Sequence, residues 1–197
     1  YASSAHVEQP PHIKTQHTRS VLKTSSSSRA LAKELLIDIF TAELCAPSKE
    51  IWILSPWITD LEILDNRNRQ FWTICPTWNQ SHIKLSALFV ELVARGTKKL
   101  NLICTDAQIN DQLCNNLQRY AKQKGVAEAI RVRRYAETGG LEHVKGIITD
   151  SATLTGSMNF SKNGVFEGGN TELAVLDTHV NFRAELIHEL KAKYSND

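Results

Sequence analysis

Apolar residues along this chain recur at two periods, and the alternation between the two lays out a fold. Leu31, Leu35, Leu36, Ile39, Phe40 and Leu44 return every three or four positions after Ser28 and stop before Pro47. That spacing predicts an amphipathic helix with a serine N-cap. Ile51-Trp52-Ile53-Leu54 follows, an unbroken apolar run closed by Ser55-Pro56, and predicts a buried strand. The pairing then repeats: a helix over 83–94 ending at Gly96, a strand over 100–104, a helix through Ile109, Leu113, Leu117 and Tyr120 that stops near Gly125, and a strand over 129–135. Beyond the Thr138-Gly139-Gly140 turn, 143–149 and 151–155 read as a hairpin and 172–176 as a further strand. Phe182, Leu186, Ile187 and Leu190 mark the apolar side of a closing helix. Strands alternating with helices predict an α/β domain, its sheet flanked by helices on both faces.

Two stretches fit neither period. Residues 1–28 carry Pro10, Pro11, scattered histidines and a run of four serines, with too little apolar surface to offset ordering, so a mobile or partner-docked arm is expected there and a single domain over 29–197. His6, His12 and His17 lack acidic or thiol companions at ligand spacing, and no metal site is expected. Residues 65–80 mix Arg67 and Arg69 with Phe71, Trp72 and Trp78. This reads as a loop whose aromatics plug a surface groove, with a substrate or subunit contact as the alternative.

Composition narrows the partners only slightly. The chain has 197 residues, enough for one domain and its core. Its 23 Lys and Arg against 21 Asp and Glu leave a net charge of +2, so nucleic-acid binding would need a local basic patch. The 129–135 strand offers one, with Arg131 and Arg133 on one face and Arg134 on the other. Cys45, Cys75, Cys104 and Cys114 form no close CxxC pair and read as reduced, buried thiols of a cytoplasmic protein. No apolar run is long enough to span a bilayer, and the N-terminus lacks the order of a signal peptide, although a start at Tyr1 leaves a removed leader open.

The chemistry concentrates in 143–159. On a strand, His143 and Lys145 project from one face about 7 Å apart. An ammonium beside an imidazole suits an anion, with the lysine as fixed charge and the histidine as nucleophile or proton carrier. Asp150 closes that strand, and Gly156-Ser157-Met158-Asn159 is a tight turn whose glycine lets the backbone approach a ligand while Ser157 and Asn159 offer donors to phosphate oxygens. Trp57, with Ser55, Thr59 and Asp60, follows a predicted strand at its C-terminal end, where open α/β sheets bind ligands.

His143, Lys145, Asp150, Gly156, Ser157 and Asn159 resemble the HxK(x)4D…GSxN signature of the phospholipase D superfamily, and the strand and helix order around them agrees with that fold. The hairpin between Asp150 and Gly156 is one residue shorter than the family usually has. The resemblance implies a phospholipase D-like mixed sheet and metal-independent, cofactor-free phosphodiester transfer through a phosphohistidine on His143. Lys145, Ser157 and Asn159 would stabilise phosphate oxygens, and Glu172 would hold the histidine tautomer. That chemistry needs two histidines. The chain has one such motif, because His179 and His188 lack the lysine and His82, though followed by Lys84, lacks the rest. A homodimer with a composite site is therefore expected, or a heteromeric partner in its place. The leading expectation is an endonuclease, with DNA favoured over RNA and Arg131 and Arg133 as substrate contacts. A phospholipase or phosphatidyl transferase and a non-catalytic nucleic-acid-binding subunit are the alternatives. Residues 55–60 with Asp65-Asn66-Arg67 also resemble a bacterial anti-phage subgroup of phospholipase-D-like proteins.

Overall fold

Seven strands form one mixed sheet in the computed structural model, which describes residues 17–24, 29–136, 143–166 and 171–194. Three run parallel: β2 (Glu50–Leu54), β5 (Lys99–Thr105) and β6 (Ile130–Tyr135). Against β2 the sheet continues antiparallel through β7 (Lys145–Ile148), β8 (Thr153–Gly156), β9 (Glu172–Asp177) and β1 (Thr18–Lys23). The order is β1-β9-β8-β7-β2-β5-β6, and β3 (Glu62–Asp65) pairs with β4 (His82–Lys84) in a separate two-stranded sheet.

Helices cover both faces, as the periodicity implied. On one face lie α1 (Arg29–Cys45), α2 (Leu85–Arg95) and α3 (Asp111–Lys124), packed on Ile51, Ile53, Leu100, Leu102 and Ile147. Each fully buried Leu or Ile of this core contributes about 1.5–3 kcal/mol by leaving water. On the other face α5 (Val180–Tyr194) lays Leu186, Ile187 and Leu190 over Trp52, Leu54, Ile103 and Ile148. Phe182, expected on that apolar side, is exposed, because the cover begins a turn later.

Several boundaries differ from the sequence expectation. Residues 18–23, placed in the N-terminal arm, pair in register with β9, burying Val21 and Lys23. The remainder of that arm lies outside the described residues, apart from His17 and Thr24. Residues 82–84, read as helix, are strand: Ile83 is buried opposite Leu64, and α2 starts only at Leu85. The Asp60 carboxylate fixes that start by accepting the Ser86 amide and hydroxyl, both at 2.9 Å. Residues 67–79 are a loop, as read, with Phe71 and Trp78 packed on the core and Trp72 exposed. All four cysteines are free thiols, but Cys45, at the end of α1, is exposed and not buried.

Candidate active site

Strand direction brings the motif residues to one end of the sheet. β2, β5 and β6 finish there, β7 begins there, β8 returns there, and β9 starts there. Lys145 pairs with Gly156, and Gly156 with Ala174, so the start of β7, the end of β8 and the start of β9 lie side by side.

His143 lies two residues before Lys145, the first residue of β7, and is exposed. Lys145 Nζ lies 3.2 Å from its Nδ1 and 2.8 Å from its carbonyl oxygen. An ammonium only donates, so Nδ1 is the acceptor and the proton of a neutral imidazole sits on Nε2. Burial lowers the Lys145 pKa below its ordinary 10.5, while the negative Glu172 nearby opposes the shift. Lysine, histidine and glutamate thus share one small electrostatic field.

Glu172, buried at the first position of β9, accepts the hydroxyl hydrogen of Ser157 and not a proton of His143. Ser157 Oγ also accepts the Leu173 amide at 3.1 Å, so this serine ties the turn to β9. Gly156 makes that approach possible: a Cβ there would meet Leu173 O at 1.9 Å. The close contact it permits is with β9 backbone, where the sequence suggested a ligand. Asn159 Oδ1 is buried without a partner, as is Thr59 Oγ1 on the loop leaving β2. That loop joins the turn through Phe160, whose amide donates to Ser55 Oγ (3.0 Å) and whose carbonyl accepts the Thr59 amide (3.0 Å). Two orphaned polar atoms at one strand end suit a polar ligand.

Other expected site residues fall elsewhere. Asp150 lies beyond the far end of β7, an end that is itself roughly 10 Å along the strand from Lys145. There it accepts the Lys49 amide (2.8 Å), its own amide donates to Ser48 Oγ (2.7 Å), and Ser48 is held by buried Glu43. This network latches the hairpin turn to the α1–β2 connection. Arg131 and Arg133 pair with Asn101 and Ile103, on the face that α5 covers, three strands from β7 and behind the sheet relative to Lys145. Trp57 does lie at the site end, 44% exposed, with its carbonyl accepting from Ser55 Oγ at 2.7 Å. Of the 65–67 segment, Asp65 and Arg67 pair with each other at 2.7 Å.

The family model described as "Cardiolipin synthase, PLD-like domain" matches residues 40–196. The chain belongs to the phospholipase D superfamily. Among solved members of that superfamily, its fold is similar to Nuc from Salmonella typhimurium, with a TM-score of 0.57 and 16% identity over 90% of this chain and 93% of that one. It is similar also to NucT from Helicobacter pylori, with a TM-score of 0.54 and 13% identity over 89% and 94%. Phosphatidylserine synthase from Haemophilus influenzae Rd KW20 gives a TM-score of 0.54 and 13% identity over 91% of this chain and 39% of that one. Comparison with curated protein sequences gives no match.

One residue at this phospholipase D-like site escaped the sequence reading. Lys23 ends β1 directly opposite Glu172, is 1% exposed, and donates to the carbonyls of Asn163 (2.9 Å) and Gly164 at α4 (Lys162–Val165). A lysine just ahead of a run of serines carries no local signal of burial, and only pairing with β9 places it.

Proposed function

We propose that this chain is a phosphodiesterase that cuts nucleic acid, working through a phosphohistidine on His143 in a site shared by two copies. The observation that carries the proposal is the Lys145 ammonium 3.2 Å from the His143 imidazole, with Glu172 and Ser157 joined beside them. In the first step an imidazole nitrogen of His143 attacks phosphorus, the P–O bond to the leaving group breaks, and His143 of the second copy protonates that oxygen. Water then attacks the phosphohistidine, giving its proton to the same second histidine as the P–N bond breaks. Lys145 and the amide of Asn159 stabilise the non-bridging oxygens.

The chain spans 93% and 94% of Nuc and NucT but 39% of the phosphatidylserine synthase, which fits a single-motif protein that borrows its second histidine. DNA is the favoured substrate, and anti-phage defence is the setting suggested by the resemblance of residues 55–60 and 65–67. A phage challenge comparing the parent with His143→Ala tests that setting. Exposed Trp57 and Trp72 favour a second reading, turnover of phospholipid at a membrane surface.

Incubation with DNA, RNA and phospholipid vesicles in EDTA, beside His143→Ala, tests the proposal. Cleavage of a nucleic acid that survives EDTA and is lost in the variant is expected. Cleavage that needs added metal, or that persists in the variant, overturns the histidine mechanism, and turnover of lipid alone favours the second reading.

A further inference from the structure

Arg131 and Arg133, separated from the site by the sheet, line a cavity of their own. It measures about 860 Å3 and lies along β6, between α3 and the last turn of α5. Lys122 from α3 and Lys193 from α5 line it with the two arginines, and Tyr135 and Tyr194 are in its wall. Arg134 also borders it, paired with Asp111 at 2.8 Å. Among the described residues that line it there is no carboxylate, in a chain whose net charge is only +2. A concave surface lined by these cations, with no carboxylate among its described lining residues, is complementary to a polyanion.

Its geometry favours one class of polyanion. Arg131 and Arg133 are alternate residues of a strand, about 7 Å apart along it, and both face α5. That repeat suits successive phosphates of an extended chain. Tyrosines among cations are the composition of single-strand grooves, where bases stack on aromatic rings while basic side chains track the backbone. β6 also runs toward the catalytic end, where Tyr135 closes it, so a strand lying in the groove is led to that end of the sheet.

We infer that the β6–α3–α5 groove is a binding site for single-stranded nucleic acid, separate from the catalytic centre, that holds the backbone of a substrate cut elsewhere. This rests on the nucleic-acid reading above. The test uses the full chain carrying His143→Ala, so that a short labelled oligonucleotide stays intact, and reads its affinity by fluorescence anisotropy across a salt series. Adding Arg131→Glu with Lys193→Glu, two exposed positions, is expected to weaken binding about tenfold or more and to flatten the log–log salt dependence by about 1.4, the loss of two phosphate contacts at about 0.7 each. Lys122→Glu alone, on a different element, is expected to flatten it by about 0.7 and serves if the double variant does not fold. Unchanged affinity and slope overturn the groove, as does equal competition by duplex, or a loss seen on anionic phospholipid vesicles and not on the oligonucleotide. Parental cleavage is scored apart. A parent that binds through the groove without cutting refutes the nuclease and leaves the groove; one that cuts while groove variants bind normally refutes the groove alone.

Discussion

Gly156→Ala probes the spacing between β8 and β9 on which the site depends. The added methyl group would sit 1.9 Å from Leu173 O, whereas real Cβ atoms essentially never come within 3.0 Å of such an atom. Backbone cannot swing aside like the tip of a side chain, so β9 must retreat by roughly 1 Å in a close-packed region. Retreat stretches the bond from the Ser157 amide to Leu173 O, now 3.0 Å, and the one from the Leu173 amide to Ser157 Oγ. Overpacking costs about 1–3 kcal/mol and the loss of one such hydrogen bond about 0.5–1.5, which together give about 2–4 kcal/mol. For a chain of this size that lowers Tm by roughly 5–15 °C, read by circular dichroism on heating. Gly125→Ala is the control. Gly125 closes α3 at φ 73° with open space around it, so only the left-handed conformation is penalised, by about 1–2 kcal/mol. If Gly156→Ala melts within about 2 °C of the parent, β9 can yield without cost and the contact is not what fixes the turn.

Four further outcomes follow from the same geometry. Asp150→Ala loses the Lys49 amide bond and is expected to cost about 1 kcal/mol in chemical denaturation while His143 and Lys145 stay in place; loss of activity without loss of stability would return Asp150 to the chemistry. Because burial lowers the Lys145 pKa, its charge is lost as pH rises through a value below 10.5, so the alkaline limb of kcat/KM, which reports the free enzyme, lies below that value and moves up in Lys145→Arg; a limb that does not move assigns it to another group. In stability the sign is the reverse. The unfolded state holds the proton over the interval up to 10.5, so this residue's contribution becomes more favourable as pH rises, a trend absent from Lys145→Met. Finally, an equimolar, subunit-exchanged mixture of parent and His143→Ala is expected to keep about a quarter of parental activity if each site needs two histidines, and about half if each chain acts alone.

The parts of this fold that the sequence disclosed are those where one face is buried and the period is unmistakable. α1, β2, β5, α3 and β6 fall within a residue or two of their expected bounds, since the first four bury an apolar row and β6 packs the partly buried Ile130 and Val132 on the same core. β1 and β4 were missed for a common reason. Each is short, with few buried side chains, and each exists because a distant partner, β9 or β3, supplies its hydrogen bonds. The site divides in the same way. His143, Lys145, Ser157 and Asn159 announce themselves by residue type and spacing. Where Asp150, Arg131 and Arg133 lie depends on strand direction and sheet order, which local pattern does not encode.

For the proposed phosphohistidine mechanism, the hydrogen bond between Lys145 and His143 bears on which nitrogen would react. With Nδ1 accepting from Lys145, a neutral His143 keeps its proton on Nε2 and has no free lone pair there. Attack through Nε2 needs the other tautomer, and that needs an acceptor at Nδ1. Glu172 is the carboxylate close enough to raise the Lys145 pKa, yet it receives the Ser157 hydroxyl in this structure. A bound phosphate offers both groups better partners: its oxygens draw the Lys145 ammonium away from the ring and accept the Ser157 hydroxyl, which releases Glu172 to accept a hydrogen bond from Nδ1–H of the other tautomer. The substrate would then assemble the nucleophile that attacks it. Nitrogen-15 spectra of the imidazole with and without orthovanadate decide the matter, with a change from the Nε2–H to the Nδ1–H tautomer expected on binding and lost in Glu172→Gln. If Nε2 keeps its proton in the presence of the oxyanion, either Nδ1 is the attacking atom or Glu172 serves only to hold Ser157.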